Sequence, residues 1–177
     1  CLDPGLSPEQ LENPLFQFNG GPVIRPTADA SQVQAGFIID ALEQGVSVTL
    51  LTQTIDAVQG DQDGNILVSA AINPEAANAA AGSQATLSLL AATDLTVNHD
   101  IGVVADPSAA PSAASALVLD IVLTAGAPTQ LQRPVDEGEV SNLYVGTLAI
   151  NANLDSAGGA IALDAVEITS AAGTTIT

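Results

Sequence analysis

The feature that most constrains this chain is a set of short aliphatic runs that repeat one another. Ile66-Leu-Val-Ser-Ala-Ala-Ile72 can be laid over Leu95-Thr-Val-Asn-His-Asp-Ile101, and both over Leu148-Ala-Ile-Asn-Ala-Asn-Leu154. Aliphatics then match at three places: Ile66/Leu95/Leu148, Val68/Val97/Ile150 and Ile72/Ile101/Leu154. A second set interleaves with the first: Val48-Thr-Leu50, Leu87-Ser-Leu89, Ile121-Val-Leu123 and Ile161-Ala-Leu163. One strand type, then the other, then a loop, then the first again is the order of a parallel solenoid, in which every turn adds strands to the same stacked sheets.

The strand runs read as Val46–Thr52, Ile66–Ile72, Thr86–Ala91, Leu95–Ile101, Leu117–Thr124, Thr147–Leu154, Ile161–Ile168 and a last fragment, Thr174–Thr177. Leu117, Leu119, Ile121 and Leu123 alternate along one face, the period of a strand. The turns are unequal, with 34 positions from Leu87 to Ile121 and 40 from Ile121 to Ile161. A bare solenoid turn needs about 20 residues, so Asn73–Ser83, Val103–Ala114 and Gly126–Ser141 are expected to project as loops. The inward set is expected to comprise Val48, Leu50, Ile66, Val68, Leu87, Leu89, Leu95, Val97, Ile121, Leu123, Leu148, Ile150, Ile161 and Leu163.

Residues 1–45 differ in kind. Pro4, Pro8, Pro14, Gly20, Gly21, Pro22 and Pro26 predict an irregular lead-in with short extended pieces. Gln32–Gln44 predicts one helix that packs on or caps the rest, with Ser31 as N-cap and Gly45 as its stop. Its apolar face would hold Val33, Phe37, Ile38, Ala41 and Leu42. The expected organisation is a lead-in and capping helix over 1–45, followed by parallel coils with projecting loops over 46–177.

Charge and composition narrow the partners. The chain has 20 acidic and 2 basic residues, a formal net charge of −18. Nucleic-acid binding needs several cations to neutralise phosphates, and only Arg25 and Arg133 are present. Anionic membrane surfaces are disfavoured for the same reason. The abundance of Val, Ile and Leu argues against disorder. No apolar run reaches the roughly 18 residues of a membrane helix, and no basic segment followed by an apolar one reads as a signal peptide. With Cys1 as the only cysteine, an internal disulfide is ruled out.

Four phrases, in order, resemble the filamentous-haemagglutinin-like exoproteins of bacterial two-partner secretion. Cys1-Leu-Asp-Pro4 is similar to the family's Trp-Leu-(Ile)-Asp-Pro, with Cys in the tryptophan slot. Ala41-Leu-Glu-Gln-Gly-Val-Ser-Val-Thr-Leu50 resembles Ala-Leu-x-x-Gly-x-x-Val-Thr-Leu. Gly64-Asn-Ile-Leu-Val-Ser-Ala-Ala-Ile72 resembles Gly-Asp-Ile-x-Val-x-Ala-Ala-Ile, and Ala85-Thr-Leu-Ser-Leu-Leu-Ala-Ala92 resembles Ala-Thr-Leu-Thr-Leu-x-Ala-Gly. The resemblance implies an all-β, right-handed parallel β-helix (solenoid) acting as an adhesive or structural segment of a large secreted or cell-surface exoprotein. It also implies an outer-membrane secretion partner, with a protein or glycan on a cell surface, or further copies of the chain, as contacts. If Cys1 fills the tryptophan slot, it lies mid-chain in a longer parent rather than serving as a lipidated N-terminus. The close of the sequence inside a β-run, at Thr174–Thr177, likewise leads us to expect that the natural polypeptide continues.

Catalysis has little to work with, and no catalytic, cofactor-binding or metal residue is assigned. His99 is the only histidine and lies in a different segment from Cys1. It aligns with Ala70 and Ala152, which reads as a coil corner, hydrogen-bonded or exposed. Parallel β-helices also carry pectin and alginate lyases, which use Lys, Arg or Ca²⁺ with acidic ligands; there is no Lys here. Asp120 and Asp164 sit on matching strands, a pairing that acid-pair polysaccharide cleavage would use, but read as solvated face residues. Gly60-Asp-Gln-Asp-Gly-Asn65 places oxygens at alternate positions like part of a calcium loop. Its glycine spacing and missing Glu fit an Asp-Gly turn better, leaving weak calcium binding at Asp61 and Asp63 open. A self-assembling filament subunit is the main alternative function. An ice-binding ladder ranks last, because Thr52-Gln-Thr54 is not repeated at coil spacing.

Overall fold

A computed structural model describes residues 21–25, 31–52, 64–105, 117–126 and 146–177. The elements are β1 (Val23–Ile24), α1 (Ala35–Glu43), β2 (Val48–Leu51), β3 (Ile66–Val68), β4 (Ser83–Ala91) and β5 (Leu95–Val97). There follow β6 (Ile101–Gly102), β7 (Leu117–Ala125), β8 (Thr147–Ile150), β9 (Leu154–Asp155), β10 (Ile161–Asp164) and β11 (Glu167–Ser170). The protein is thus mostly β with one short helix. Its strands form three sheets, ordered β1-β2-β4-β7-β10, β11-β8-β5-β3 and β6-β9, and every pair is parallel.

The register reproduces the sequence alignment residue for residue. Val48 pairs with Leu87, Leu87 with Ile121, and Ile121 with Ile161. Ile66 pairs with Leu95 and Leu95 with Leu148; Val68 pairs with Val97 and Val97 with Ile150. Ile72 bridges Ile101, Ile101 pairs with Leu154, and Leu154 bridges Ile176. Equivalent aliphatics therefore stand directly above one another in columns. Leu87, Ile121, Leu95, Val97, Leu148, Ile150, Ile101 and Leu154 are all fully buried. Each such side chain contributes about 1.5–3 kcal/mol by leaving water, and parallel sheets need this because both strand faces are usually covered.

Three expected inward residues, Leu50, Ile161 and Leu163, are only half-buried. For the last two the reason is position: β10 is the edge strand of its sheet and has a neighbour on one side only. The lead-in contributes β1, which pairs with β2 through Val23↔Thr49 and Ile24↔Leu50. Asn73–Ser83 does not simply project. Its first half lies against the next layer, where Glu75 bridges Val104 and the Val104 N–H donates to the Pro74 carbonyl at 2.9 Å. Of the other two expected loops, only Val103–Ala105 and Gly126 fall within the described residues.

The helix is shorter than its apolar pattern. It begins at Ala35, because Gln34 stays extended (φ −72, ψ 131), and the cap position makes no side-chain hydrogen bond. Ser31 therefore lies too far upstream to cap it. Ile38 and Leu42, four apart, face the core, while Phe37 is 46% exposed. Gly45 does end the helix: at φ +71 it takes the left-handed conformation. The N–H groups of Gly45 and Val46 bond the Leu42 and Ala41 carbonyls, the double closure that satisfies a helix terminus. Gly146 answers a different need, since a Cβ there would sit 2.3 Å from the Gly126 nitrogen. The chain can pass this point only without a side chain.

Because Val97 is fully buried between Val68 and Ile150, a charge there has no partner. Val97→Asp is expected to destabilise the fold by about 4 kcal/mol or more, read as a lowered denaturant midpoint. Thr96→Asp, on the opposite face of the same strand, should cost far less.

Candidate functional site

Polar side chains gather where strands begin, and they share one use. Column by column, an oxygen accepts the N–H of the residue aligned with it in the neighbouring strand; the acceptor stands just before a strand in every case but Asp120, which lies within β7. Ser47 Oγ takes the Thr86 N–H at 3.0 Å, and Asn65 Oδ1 takes the Asp94 N–H at 3.0 Å. Asp94 Oδ1 takes the Thr147 N–H at 2.9 Å, and Asp120 Oδ1 takes the Ala160 N–H at 2.8 Å. Asp100 Oδ1 takes the Asn153 N–H at 2.8 Å, and Asn153 Oδ1 takes the Thr175 N–H at 3.0 Å. Short polar side chains suit this role because they reach a neighbouring backbone group without leaving the turn. The same need explains Ser156, which is 2% exposed and donates through Oγ to the Gly159 carbonyl at 2.8 Å.

A polar recess lies after β5 and β8. Asn98, His99 and Asp100 stand beside Asn151, Ala152 and Asn153, with Ala71, Ala172, Gly173 and Thr174 completing an open groove of about 380 Å³. Asn151 Nδ2 donates to Asn98 Oδ1 at 2.9 Å, so an amide pair joins the two layers. His99 is exposed in the bend between β5 and β6, in the row of Ala70 and Ala152. Asp100, its only acidic neighbour in sequence, is already engaged by Asn153.

Asp120 and Asp164 are not brought together. Asp120 aligns with Ala160, and Asp164 pairs with Thr124, so the two carboxylates are four residues apart along adjacent strands. At about 3.3 Å per residue that offset is roughly 13 Å. Acid-pair glycoside cleavage needs about 5–9.5 Å. Asp120 also accepts from Gln84 Nε2 at 3.2 Å, which fixes it as a strand-to-strand tie. Among the described residues no group of three or more His, Cys, Asp or Glu could hold a metal ion. Cys1, Asp61, Asp63, Arg133, Asp136, Glu137 and Glu139 lie outside the described residues. Within the described residues, no helix is long and apolar enough to cross a membrane.

The corner ladder was not anticipated from the sequence, although its signal is present. Asn65, Asp94, Asp100, Asp120 and Asn153 each immediately precede an aliphatic that begins a repeat. No protein-family model, curated protein or solved structure matches this chain.

Asp100→Ala removes the acceptor for the Asn153 N–H and should lower stability by about 1 kcal/mol. Asp100→Asn, which keeps the oxygen, should recover most of that loss. Urea unfolding of both variants checks the pair, and equal losses would assign the effect to charge instead of the hydrogen bond.

Proposed function

We propose that this chain is a non-catalytic structural segment whose strands form a right-handed parallel β-solenoid, acting by spacing, display or adhesion. The observation that carries the reading is the column register. Aliphatics stack in the interior, while Asp94, Asp100 and Asp120 accept backbone N–H groups of neighbouring strands. A repeat architecture of this kind grows by adding layers and offers an extended surface, which suits a rod better than a pocket. The resemblance of its phrases to filamentous-haemagglutinin-like exoproteins supports a place in a large secreted or surface adhesin of bacteria. Its partners would then be a protein or glycan on a cell surface and an outer-membrane secretion partner. The acidity of the chain disfavours nucleic acid and anionic membranes.

A second reading, a self-assembling subunit of an extracellular filament, is favoured by the apolar residues left open in the last layer. Val166 is 61% exposed, Ile168 48% and Ile176 45%. A polysaccharide-active enzyme is a weaker reading still, given the separation of Asp120 from Asp164.

The test is attachment. Beads coated with the full chain should adhere to a cell or glycan surface. Deleting Leu131–Gly138, which holds Arg133, Asp136 and Glu137, should weaken that attachment and leave the circular dichroism intact. Unchanged adhesion would remove this segment from the mechanism. Turnover of an acidic polysaccharide by the chain would overturn the non-catalytic reading altogether.

A further inference from the structure

Among the described residues, sheet one has two edges, β1 and β10, which the register makes complementary to each other. Following the columns through the sheet, Val23 lines up with Thr49, Ser88, Val122 and Ala162, and Ile24 with Leu50, Leu89, Leu123 and Leu163. One residue further on, Arg25 falls in the column of Leu51, Leu90, Thr124 and Asp164. We propose that a second copy of this chain docks head to tail, its β1 adding in parallel to the outer edge of β10, so that its Arg25 lies opposite Asp164.

The backbone fits this arrangement. The Thr49 N–H donates to the Pro22 carbonyl, so strand alternation turns the Val23 backbone groups away from β2. The Ile121 N–H donates to the Ala160 carbonyl at 2.8 Å, which likewise turns the Ile161 and Leu163 groups away from β7. The two outward rows then interlock as in the sheet's own parallel pairs, and strand addition at an open edge is a general mode of association. Side chains agree as well: Ile24 would meet Leu163, both half-buried at their edges.

Charge selects the orientation. Arg25 is one of only two basic residues in a chain with 20 acidic ones. Its Nε is buried without a hydrogen-bond partner among the described residues. Asp164 is exposed, as is Glu167 in the same layer. A tail-to-tail pairing of two β10 edges would set these acids against their own copies. Head-to-tail pairing instead brings the scarce cation to the acidic end. Such a contact does not close on itself and builds a filament.

This deepens the self-assembly reading and rests on it, while spacing and adhesion by a single rod do not depend on it. Sedimentation velocity of the full chain over a concentration series, with circular dichroism of each variant, tests it. The wild type should form concentration-dependent elongated oligomers. Arg25→Asp and Asp164→Arg should each weaken association by about tenfold, and the double exchange R25D/D164R should restore it. A wild type that stays monomeric throughout overturns the proposal, as does a double exchange no better than the singles. In either event, adhesion by coated beads still reports separately on the display function.

Discussion

Everything in this structure depends on parallel strands stacked in register, so that each residue meets its own equivalent in the neighbouring layer. Parallel pairing repeats the same hydrogen-bond geometry at every step. A column that begins with a valine or leucine must therefore continue with side chains of similar size. Val48, Leu87 and Ile121 satisfy this, as do Leu95 and Leu148. Large aromatic anchors have no place in such columns, and the chain has an aromatic content of only 2%. Interior density comes from interlocking Leu, Ile and Val at the spacing of adjacent strands, about 4.8 Å.

The same constraint decides the chemistry of the corners. Where a strand begins, a backbone N–H lies outside the ladder and needs another acceptor. Asn65, Asp94, Asp100, Asp120 and Asn153 supply the missing acceptors across layers. This gives three carboxylates, those of Asp94, Asp100 and Asp120, a structural task. It also explains how a protein with so few cations holds its acids without ion pairs at these sites: the acids are bound to backbone donors. Among the described residues the groove at His99 is open, and the functional proposal draws on the repeated columns.

Much of the architecture was legible in the sequence, for a physical reason. Where neighbouring layers contact like with like, self-similarity in the sequence is itself a contact map. The alignment of Ile66, Leu95 and Leu148 therefore anticipated the pairs formed, and so did that of Leu50, Leu89, Leu123 and Leu163. The helix was legible in place but not in length. Val33 and Phe37 fit its apolar period, yet the chain remains extended through Gln34, and packing recruits only Ile38 and Leu42 to the core.

By itself, then, the sequence determined the parallel columns and the aliphatic interior, because these follow from residue type and period alone. Only the tertiary structure decided which polar residues become ties and which apolar ones stay open. The corner hydrogen bonds join positions 22–53 residues apart, a separation no local pattern encodes. The separation of Asp120 from Asp164 and the half-burial of Ile161 and Leu163 were likewise settled by register and by β10 being an edge. Both depend on which strands lie next to one another, and that is a property of the assembled sheets.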